Sequence, residues 1–213
     1  MKSENPTITY WNKVLNILKY LNYTKNYKLK YNGCRDLFAY SDASFANDLE
    51  DRKSTSGHIV FLGGSPITWY SKKQSTVATS TAEAEYISSA ECIKKILQIK
   101  NLLLELTGYK RPTILYTDNT SSKTNLEKGK TSSKLRHVSV CYHFCKETIK
   151  NKEILRYCES SKMLADSLTK NINGAKMTEF TDKIFVKNNK EEPNYKPVNL
   201  LDELTVLNAE FNI

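Results

Sequence analysis

The order of strand and helix patterns between residues 37 and 170 constrains the fold more than any other feature. Three strand-like runs come first, with a Gly63-Gly64-Ser65-Pro66 hairpin signal, and helix-like and strand-like segments then alternate. The predicted strands are 37–45, 57–63, 66–71, 113–117 and 154–158, and the predicted helices between and after them are 81–106, 133–150 and 162–170. This order predicts an α/β fold, in which a five-stranded mixed sheet has three antiparallel strands followed by two parallel ones and carries helices on both faces.

Composition excludes several classes of protein. Of the 213 residues, 39% are hydrophobic and 26% are charged, which is typical of a folded domain rather than a disordered chain. The apolar runs are too short to span a bilayer, and no signal peptide follows Met1. Five cysteines without a C-x-x-C pair favour free thiols in a reducing compartment. We therefore expect an intracellular protein, cytoplasmic or nuclear, without a membrane partner.

The charge is unevenly distributed. The chain carries a net charge of +9, but residues 189–213 carry −3, which leaves +12 on the rest. A basic body with 13 tyrosines favours a polyanionic partner, nucleic acid first. A Lys- and Asn-rich composition that reflects only genome bias explains the charge equally well.

Two aspartates lie in apolar strand patterns. Asp42 shares a strand face with Phe38 and Tyr40, where a carboxylate is costly unless a metal ion or hydrogen bonds compensate for it. Asp118 ends the strand of residues 114–117, and the carboxyl ends of strands are where α/β sheets place their sites. Asp118 can alternatively be a helix N-cap.

Two glutamates compete at the start of the long helix. The apolar stripe of that helix is defined by Tyr86, Ala90, Ile93, Leu97 and Leu104. Glu83 falls within this arc and Glu85 falls nearly opposite, so the pattern predicts that Glu83 faces the sheet and Glu85 faces water. The alternative for Glu83 is a capping box with Ser80.

Asp166 lies in the first turn of a short helix, where it can also simply complement the helix dipole. One acid falls in each successive strand–helix segment of the predicted fold. These acids are Asp42, Glu83, Asp118 and Asp166. Converging carboxylates without a matching buried base imply divalent cations. In a basic protein, such a cluster favours phosphate chemistry with two metal ions.

Six sequence stretches resemble the ribonuclease H domain of copia-type LTR retrotransposon Pol polyproteins. In the family's order they are Y-S-D-A-S-F-A-N-D-L-E-D-R-K-S-T-S-G from Tyr40, F-L-G-G-S-P-I-T-W-Y-S-K-K-Q from Phe61, S-T-A-E-A-E-Y from Ser80, T-D-N from Thr117, R-H-V-S-V-C-Y-H-F from Arg136 and L-A-D-S-L-T-K from Leu164. Residues 8–21 resemble the end of the preceding reverse transcriptase region. The resemblance covers residues 7–187, and the tail from 189 onward has no counterpart in the family. We expect three parts: a helical remnant of the reverse transcriptase at 1–33, a ribonuclease H-like domain at 34–175, and a C-terminal extension with a partly disordered acidic tail at 176–213.

The resemblance implies hydrolysis of the RNA strand of RNA–DNA hybrids with two Mg²⁺ or Mn²⁺ ions. It implies that Asp42 bridges both ions with Asp118 beside it, that Glu83 binds one ion near the 2′-hydroxyl, and that Asp166 holds the ion that positions water. It also implies the reverse transcriptase of the same polyprotein as a partner, and a virus-like particle as a cytoplasmic location. The sequence departs from the family in having Phe45 where Trp is usual and Thr117 where Cys is usual.

Further polar residues are candidates for nucleic-acid contact, with a merely solvated surface as the alternative. They are Arg52, Lys53, Ser54, Gln74, Ser75, Thr76, Asn119, Lys128, Lys130, Lys134 and Arg136. A zinc site at His137, Cys141, His143 and Cys145 is the less favoured interpretation of that helix face, because the spacing suits no closed four-ligand site.

Three functions are compatible with these features. The first is an active ribonuclease H. The second is a catalytically inactive or domesticated fragment that binds nucleic acid or a polymerase. The third is a structure-selective nuclease of the same fold that acts on DNA.

Overall fold

The computed structural model describes residues 7–31, 36–108, 112–118, 139–150, 153–172 and 174–187. In chain order the elements are α1 (Ile8–Thr24), β1 (Tyr27–Lys28), β2 (Leu37–Ser44), β3 (Thr55–Leu62), β4 (Ser65–Lys73), α2 (Thr81–Thr107), β5 (Thr113–Thr117), α3 (Ser139–Lys150), β6 (Glu153–Tyr157), a 3₁₀ turn (Ser160–Lys162), α4 (Asp166–Thr169), α5 (Gly174–Ile184) and β7 (Val186–Lys187). They fall into two compact units, Leu29–Phe185 and the combination of Met1–Lys28 with Val186–Ile213.

The larger unit is built on a five-stranded sheet with the order β4-β3-β2-β5-β6. The pairs β2–β3 and β3–β4 are antiparallel, whereas β2–β5 and β5–β6 are parallel. The predicted α/β class and the mixed sheet are therefore confirmed. Because β2 and β5 are parallel, with Tyr40 opposite Tyr116, their carboxyl ends lie at the same edge of the sheet.

One face of the sheet packs against α2. The helix begins at Ser80, whose side chain accepts a hydrogen bond from the Glu83 N–H, and it ends at Gly108, whose φ of 70° is a left-handed conformation that glycine adopts without strain. The core between α2 and the sheet is formed by Leu37, Ala39, Val60, Tyr86, Ala90, Cys92, Ile93, Ile96, Leu115 and Cys145. This long packed interface fixes the helix over the sheet and so fixes the direction in which its first turns point.

The opposite face carries aromatic rings and the C-terminal helices. The ring centroids of Phe38 and Phe61 are 4.9 Å apart, and those of Tyr40 and Tyr116 are 5.0 Å apart. Both pairs are stacked, and Ile184 of α5 belongs to the same apolar cluster. The sheet thus has helices on both faces, as predicted, although the sequence patterns gave no indication of α5.

The described part of the smaller unit consists of α1 and the antiparallel pair β1–β7. Helix α1 has no buried residue, and Trp11 on it is half exposed. The predicted domain boundaries at 33/34 and 175/176 stay predictions. Among the described helices, none combines the length and the apolar character needed to cross a membrane.

Candidate active site

Three carboxylates converge where the parallel strands end. Asp42 lies near the end of β2 and is only 1% exposed, and Asp118 directly follows β5. Glu85 reaches them from the first turns of α2, where its Oε1 accepts a hydrogen bond from the Ala43 N–H at 3.3 Å. One oxygen from each of the three carboxylates lies within 4.8 Å of the others. Within the described part of the chain, this is the one group of three acidic or His/Cys side chains close enough to share a metal ion.

The prediction that Glu83 faces the sheet edge and Glu85 faces water is wrong. Glu85 is 3% exposed and points at Asp42, whereas Glu83 Oε2 accepts hydrogen bonds from the N–H and the hydroxyl of Thr79, both at 2.6 Å. Together with the bond from the Glu83 N–H to Ser80 Oγ, this ties Glu83 into the cap of α2.

The cause of this error lies at the beginning of the helix. Four of the five residues that define the stripe lie beyond the first two turns of α2, whereas within those turns Glu83, Ala84, Glu85 and Tyr86 are all buried. Hydrophobicity cannot give the direction of a side chain where every direction is buried. The capping box at Ser80 was the informative signal, because it assigns Glu83 to the cap and leaves Glu85 for the site.

The electrostatics of the cluster reflect its burial. Burial raises the pKa of the Glu85 carboxyl to about 9, and the charges of Asp42 and Asp118 contribute to that rise. Burial also raises the pKa of Asp42, although a hydrogen bond from Thr169 and the charge of Lys170 oppose the rise. Glu85 Oε2 is buried and has no hydrogen-bond partner among the described residues. An unpartnered carboxylate oxygen beside two further carboxylates is the donor set that hard divalent cations prefer, so these residues fit such an ion.

The fourth acid approaches from α4. Asp166 is 9% exposed, and its Oδ1 accepts a hydrogen bond from Lys170 Nζ at 2.7 Å. The same ammonium lies 3.5 Å from Asp42 Oδ2, and the Thr169 hydroxyl donates a hydrogen bond to that oxygen. On the other side of the cluster, Asp118 Oδ2 accepts a hydrogen bond from Ser160 Oγ at 3.0 Å. Asp166 is therefore linked to Asp42 through Lys170.

A glycine in β3 permits this approach of α4. Gly57 pairs with Asp42 across the strands, and a Cβ atom added to it would lie 2.6 Å from Thr169 Cγ2 and 3.0 Å from Leu168 Cβ. Real side chains do not approach so closely. The missing side chain at Gly57 therefore lets Thr169 and Lys170 reach the Asp42 carboxylate.

Two of the residues predicted to contact nucleic acid are instead buried, and their side chains form hydrogen bonds within the protein. Gln74 is buried, and its Nε2 donates hydrogen bonds to Ser56 Oγ at 2.8 Å and to the Ala84 carbonyl at 2.9 Å. Ser54 is also buried, and its Oγ accepts a hydrogen bond from the Ala46 N–H. The prediction that these two side chains contact nucleic acid is therefore wrong, because neither reaches the surface.

The other predicted nucleic-acid contacts stay predictions. Arg52, Ser75 and Thr76 are exposed, and Lys53 is half-buried with its ammonium 3.7 Å from Asp51. Lys128, Lys130, Lys134, Arg136 and Asn119 lie outside the described residues. Of the alternative zinc ligands, Cys145 is fully buried in the core beneath α2, while His137 and the Cys141 side chain lie outside the description.

Asp42 and Asp118 line a cleft together with residues that the sequence did not predict as site residues, Lys170 among them. This cleft has a volume of about 420 Å³ and is lined by Asp42, Ala43, Ser44, Phe45, Thr81, Glu85, Asp118 and Lys170. Lys170 stands at the end of the stretch L-A-D-S-L-T-K, but a lysine after a helix gives no sequence signal that it turns toward carboxylates.

Comparison with known proteins agrees with this architecture. The chain is 35% identical over 185 residues to the retrovirus-related Pol polyprotein from transposon RE2 of Arabidopsis thaliana, and 36% identical over 185 residues to that from transposon RE1. It is 32% identical over 169 residues to the Pol polyprotein from transposon TNT 1-94 of Nicotiana tabacum. These matches cover 85%, 85% and 78% of this chain, but the chain spans only about 13% of the length of each relative. No protein-family model matches the chain.

Among solved structures, the chain resembles LC11-RNase H1, which was crystallised in complex with an RNA/DNA hybrid. The TM-score is 0.50 at 12% identity, and the match covers 63% of this chain and 94% of that one. At this identity the likeness concerns the fold alone. From its Pol relatives and its sheet topology, the chain is a member of the copia-type retrotransposon Pol family, of which it represents a segment with the ribonuclease H fold.

Proposed function

We propose that this chain hydrolyses the RNA strand of RNA–DNA hybrids with two divalent ions, Mg²⁺ or Mn²⁺. The observation that carries the proposal is the convergence of Asp42, Glu85 and Asp118 within 4.8 Å, with one buried oxygen of Glu85 unpartnered. Three carboxylates this close together, two of them buried, require compensating positive charge, either from bound protons or from bound cations. Divalent cations supply that charge and are the usual means of phosphodiester hydrolysis.

In this proposal each acid has a separate role. Asp42, Glu85 and Asp118 would hold one ion, and Asp42 and Asp166 would hold the second. Glu85 takes the place that the sequence assigned to Glu83. When bound, such ions would activate the attacking water and stabilise the leaving 3′-oxygen. The Ala43 N–H orients Glu85 by its hydrogen bond, and the Thr169 hydroxyl orients Asp42 in the same way.

The proposed substrate follows from charge and from the relatives. The net charge of +12 outside residues 189–213 attracts phosphates without regard to sequence. Exposed Arg52, Ser75 and Thr76 are the described residues that we propose as backbone contacts. The 2′-hydroxyl distinguishes RNA from DNA at such a site. The reverse transcriptase of the same polyprotein is the proposed protein partner, since residues 8–21 resemble its end.

The test is cleavage of an end-labelled RNA–DNA hybrid in Mg²⁺, with single-stranded RNA and duplex DNA as parallel substrates. Glu85→Gln and Asp42→Asn should each lower the cleavage rate at least about a hundredfold, because each removes a charged ligand. Glu83→Gln is the matched control, two residues away on the same helix. It should stay within about threefold of the unsubstituted protein, since Glu83 serves the helix cap.

Each outcome decides between functions. Cleavage of the hybrid alone, lost in Glu85→Gln and kept in Glu83→Gln, supports the proposal. A folded protein that binds the hybrid but does not cleave it in Mg²⁺ or Mn²⁺ contradicts it and favours a binding module. Cleavage of duplex DNA at an equal rate favours a structure-selective nuclease.

A further inference from the structure

A lysine ammonium occupies the gap between two of the four acids. Lys170 Nζ lies 2.7 Å from Asp166 Oδ1 and 3.5 Å from Asp42 Oδ2. The Asp42 side chain is 2% exposed and that of Asp166 is 13% exposed, whereas the Lys170 side chain is 43% exposed. The positive charge thus sits at the opening of a pair of largely buried carboxylates, on a side chain that solvent can reach.

This contact is more than an ordinary helical ion pair. Lys183 and Glu179 on α5 have the same i,i+4 spacing and the same 2.7 Å distance, and the Lys183 side chain has a similar exposure of 41%. Lys170 differs because its ammonium also approaches a second, buried carboxylate that belongs to the metal-binding candidates. Exposed ion pairs contribute little, whereas a buried carboxylate depends strongly on its neutralising partner.

The two sides of Asp42 are therefore neutralised differently. Toward α4, its Oδ2 receives the Thr169 hydroxyl and the Lys170 ammonium. Toward α2, it faces the carboxylates of Glu85 and Asp118, where Glu85 Oε2 has no partner among the described residues. Among the described residues, a divalent ion on the α2 side meets three carboxylates, and the Lys170 ammonium approaches it only from the Asp42–Asp166 edge of the same cleft. An ion on the α4 side must take the place of an existing positive charge.

We propose that Lys170 is a tethered cation that holds Asp42 and Asp166 together in the metal-free protein and competes with one of the two divalent ions for the position between them. This inference rests on the proposed function, because it concerns the same metal site. It makes the two ions bind with unequal affinity, the α4-side ion more weakly. Lys170 is a positioning residue that leaves the carboxylates when that ion binds, which its exposed, flexible side chain permits.

The experiment is a calorimetric titration of Mn²⁺ into the metal-free full chain. We expect two unequal binding steps in the unsubstituted protein. Lys170→Gln should tighten the weaker step about tenfold and leave the stronger step within about twofold. Lys170→Arg, which keeps the positive charge, should leave both steps nearly unchanged, and Lys183→Gln, the matched ion-pair control, should do the same.

A second measurement uses the unsubstituted protein and does not depend on the folding of a variant. In a Mg²⁺ titration followed by NMR, the side-chain Cε signal of Lys170 should shift with the second binding step, while that of Lys183 should not shift. Two Mn²⁺ steps that Lys170→Gln leaves unchanged, or a Lys170 signal insensitive to Mg²⁺, would overturn the inference and leave the proposed function intact. No Mn²⁺ binding by any of the proteins would overturn both.

Discussion

The two sides of the candidate site hold their carboxylates in different ways. On the α2 side, Glu85 is 3% exposed on a 27-residue helix and has an unpartnered oxygen. On the α4 side, Asp166 starts a helix of only four residues and is already paired with Lys170. The first side is fixed by a large packed interface, and no described cation forms an ion pair with Glu85 there. The second has its own charge partner and is fixed by the close approach to Gly57.

Because of this difference, we expect substitutions on the two sides to affect stability for different reasons. A side that lacks a cation should respond mainly to charge and to metal ions, because burial of an unneutralised carboxylate costs free energy that an ion recovers. A side held by close packing should respond mainly to volume, because interiors tolerate little added bulk. The following variants test each side by the property on which it depends.

The largest effect is expected for Gly57→Ala, which tests the α4 side by volume. The new methyl group would lie 2.6 Å from Thr169 Cγ2, so α4 must shift away from β3. We expect a loss of about 3 kcal/mol in the free energy of unfolding, measured by urea denaturation. The cleavage rate should fall more than about tenfold, because displacement of α4 moves Thr169 and Asp166 from Asp42.

Gly174→Ala is the control for that variant. A Cβ atom at Gly174 meets nothing within 4 Å, so the substitution should leave stability within about 0.5 kcal/mol. If Gly57→Ala were as stable and as active as Gly174→Ala, the α4 side would not depend on close packing.

Glu85→Gln tests the α2 side by charge. In EDTA at pH 7 the variant should be more stable than the unsubstituted protein by about 2 kcal/mol, because it removes a buried carboxyl that has no cation. In excess Mg²⁺ the order should reverse, because only the unsubstituted protein gains the full stabilisation by bound ions. Thermal unfolding of both proteins in both buffers measures this.

Asp166→Asn gives the contrast on the α4 side. It breaks the ion pair with Lys170, so it should not stabilise the protein in EDTA. A gain equal to that of Glu85→Gln would mean that the two sides are neutralised alike.

The sequence was sufficient for the sheet, for the places of Asp42 and Asp118 at its strand ends, and for the place of Asp166 in the first turn of a short helix. Strand alternation and strand ends can be recognised from the local sequence. Because β2 and β5 are parallel and in register, their carboxyl ends lie side by side, and Asp42 and Asp118 come together there. The family resemblance supplied the chemistry, but it named Glu83 where the structure brings Glu85 to Asp42.

What the sequence could not give depends on contacts between distant segments. The burial of Gln74 arises from bonds to β3 and α2, and the position of Lys170 arises from the packing of α4 on Gly57. No periodic pattern of hydrophobic residues in the sequence indicates the burial of Gln74 or the position of Lys170. A polar residue in a loop was therefore interpreted as a surface contact, although tertiary structure buries it.

Gln74→Ala tests the attachment of α2 to the sheet. Loss of its hydrogen bonds to Ser56 and to the Ala84 carbonyl should cost about 1.5 kcal/mol in urea denaturation. The neighbouring exposed variant Ser75→Ala should change stability by less than about 0.5 kcal/mol. If Gln74 contacted substrate instead, its loss would weaken hybrid binding without changing the stability of the free protein.

The last comparison concerns the acid sensitivity of the face of the sheet that packs against α2. His58 of β3 is buried, its Nδ1 has no partner among the described residues, and its ring stacks on Tyr70 at 5.0 Å. Burial lowers the pKa of His58 to about 4, with Glu91 opposing and Lys95 assisting the shift. The folded protein therefore keeps this imidazole neutral where the unfolded chain already binds a proton.

The pH dependence follows from that difference in proton uptake. The stability associated with neutral His58 is fully present above pH 6.5 and is lost as the pH falls from 6.5 toward 4, by no more than about 1.4 kcal/mol per pH unit. His58→Phe keeps the ring stacking and removes the titration, so its free energy of unfolding in EDTA should fall less steeply over this range. If the free energy of unfolding fell equally steeply with pH in the unsubstituted protein and in His58→Phe, protonation of His58 would not be a cause of acid destabilisation.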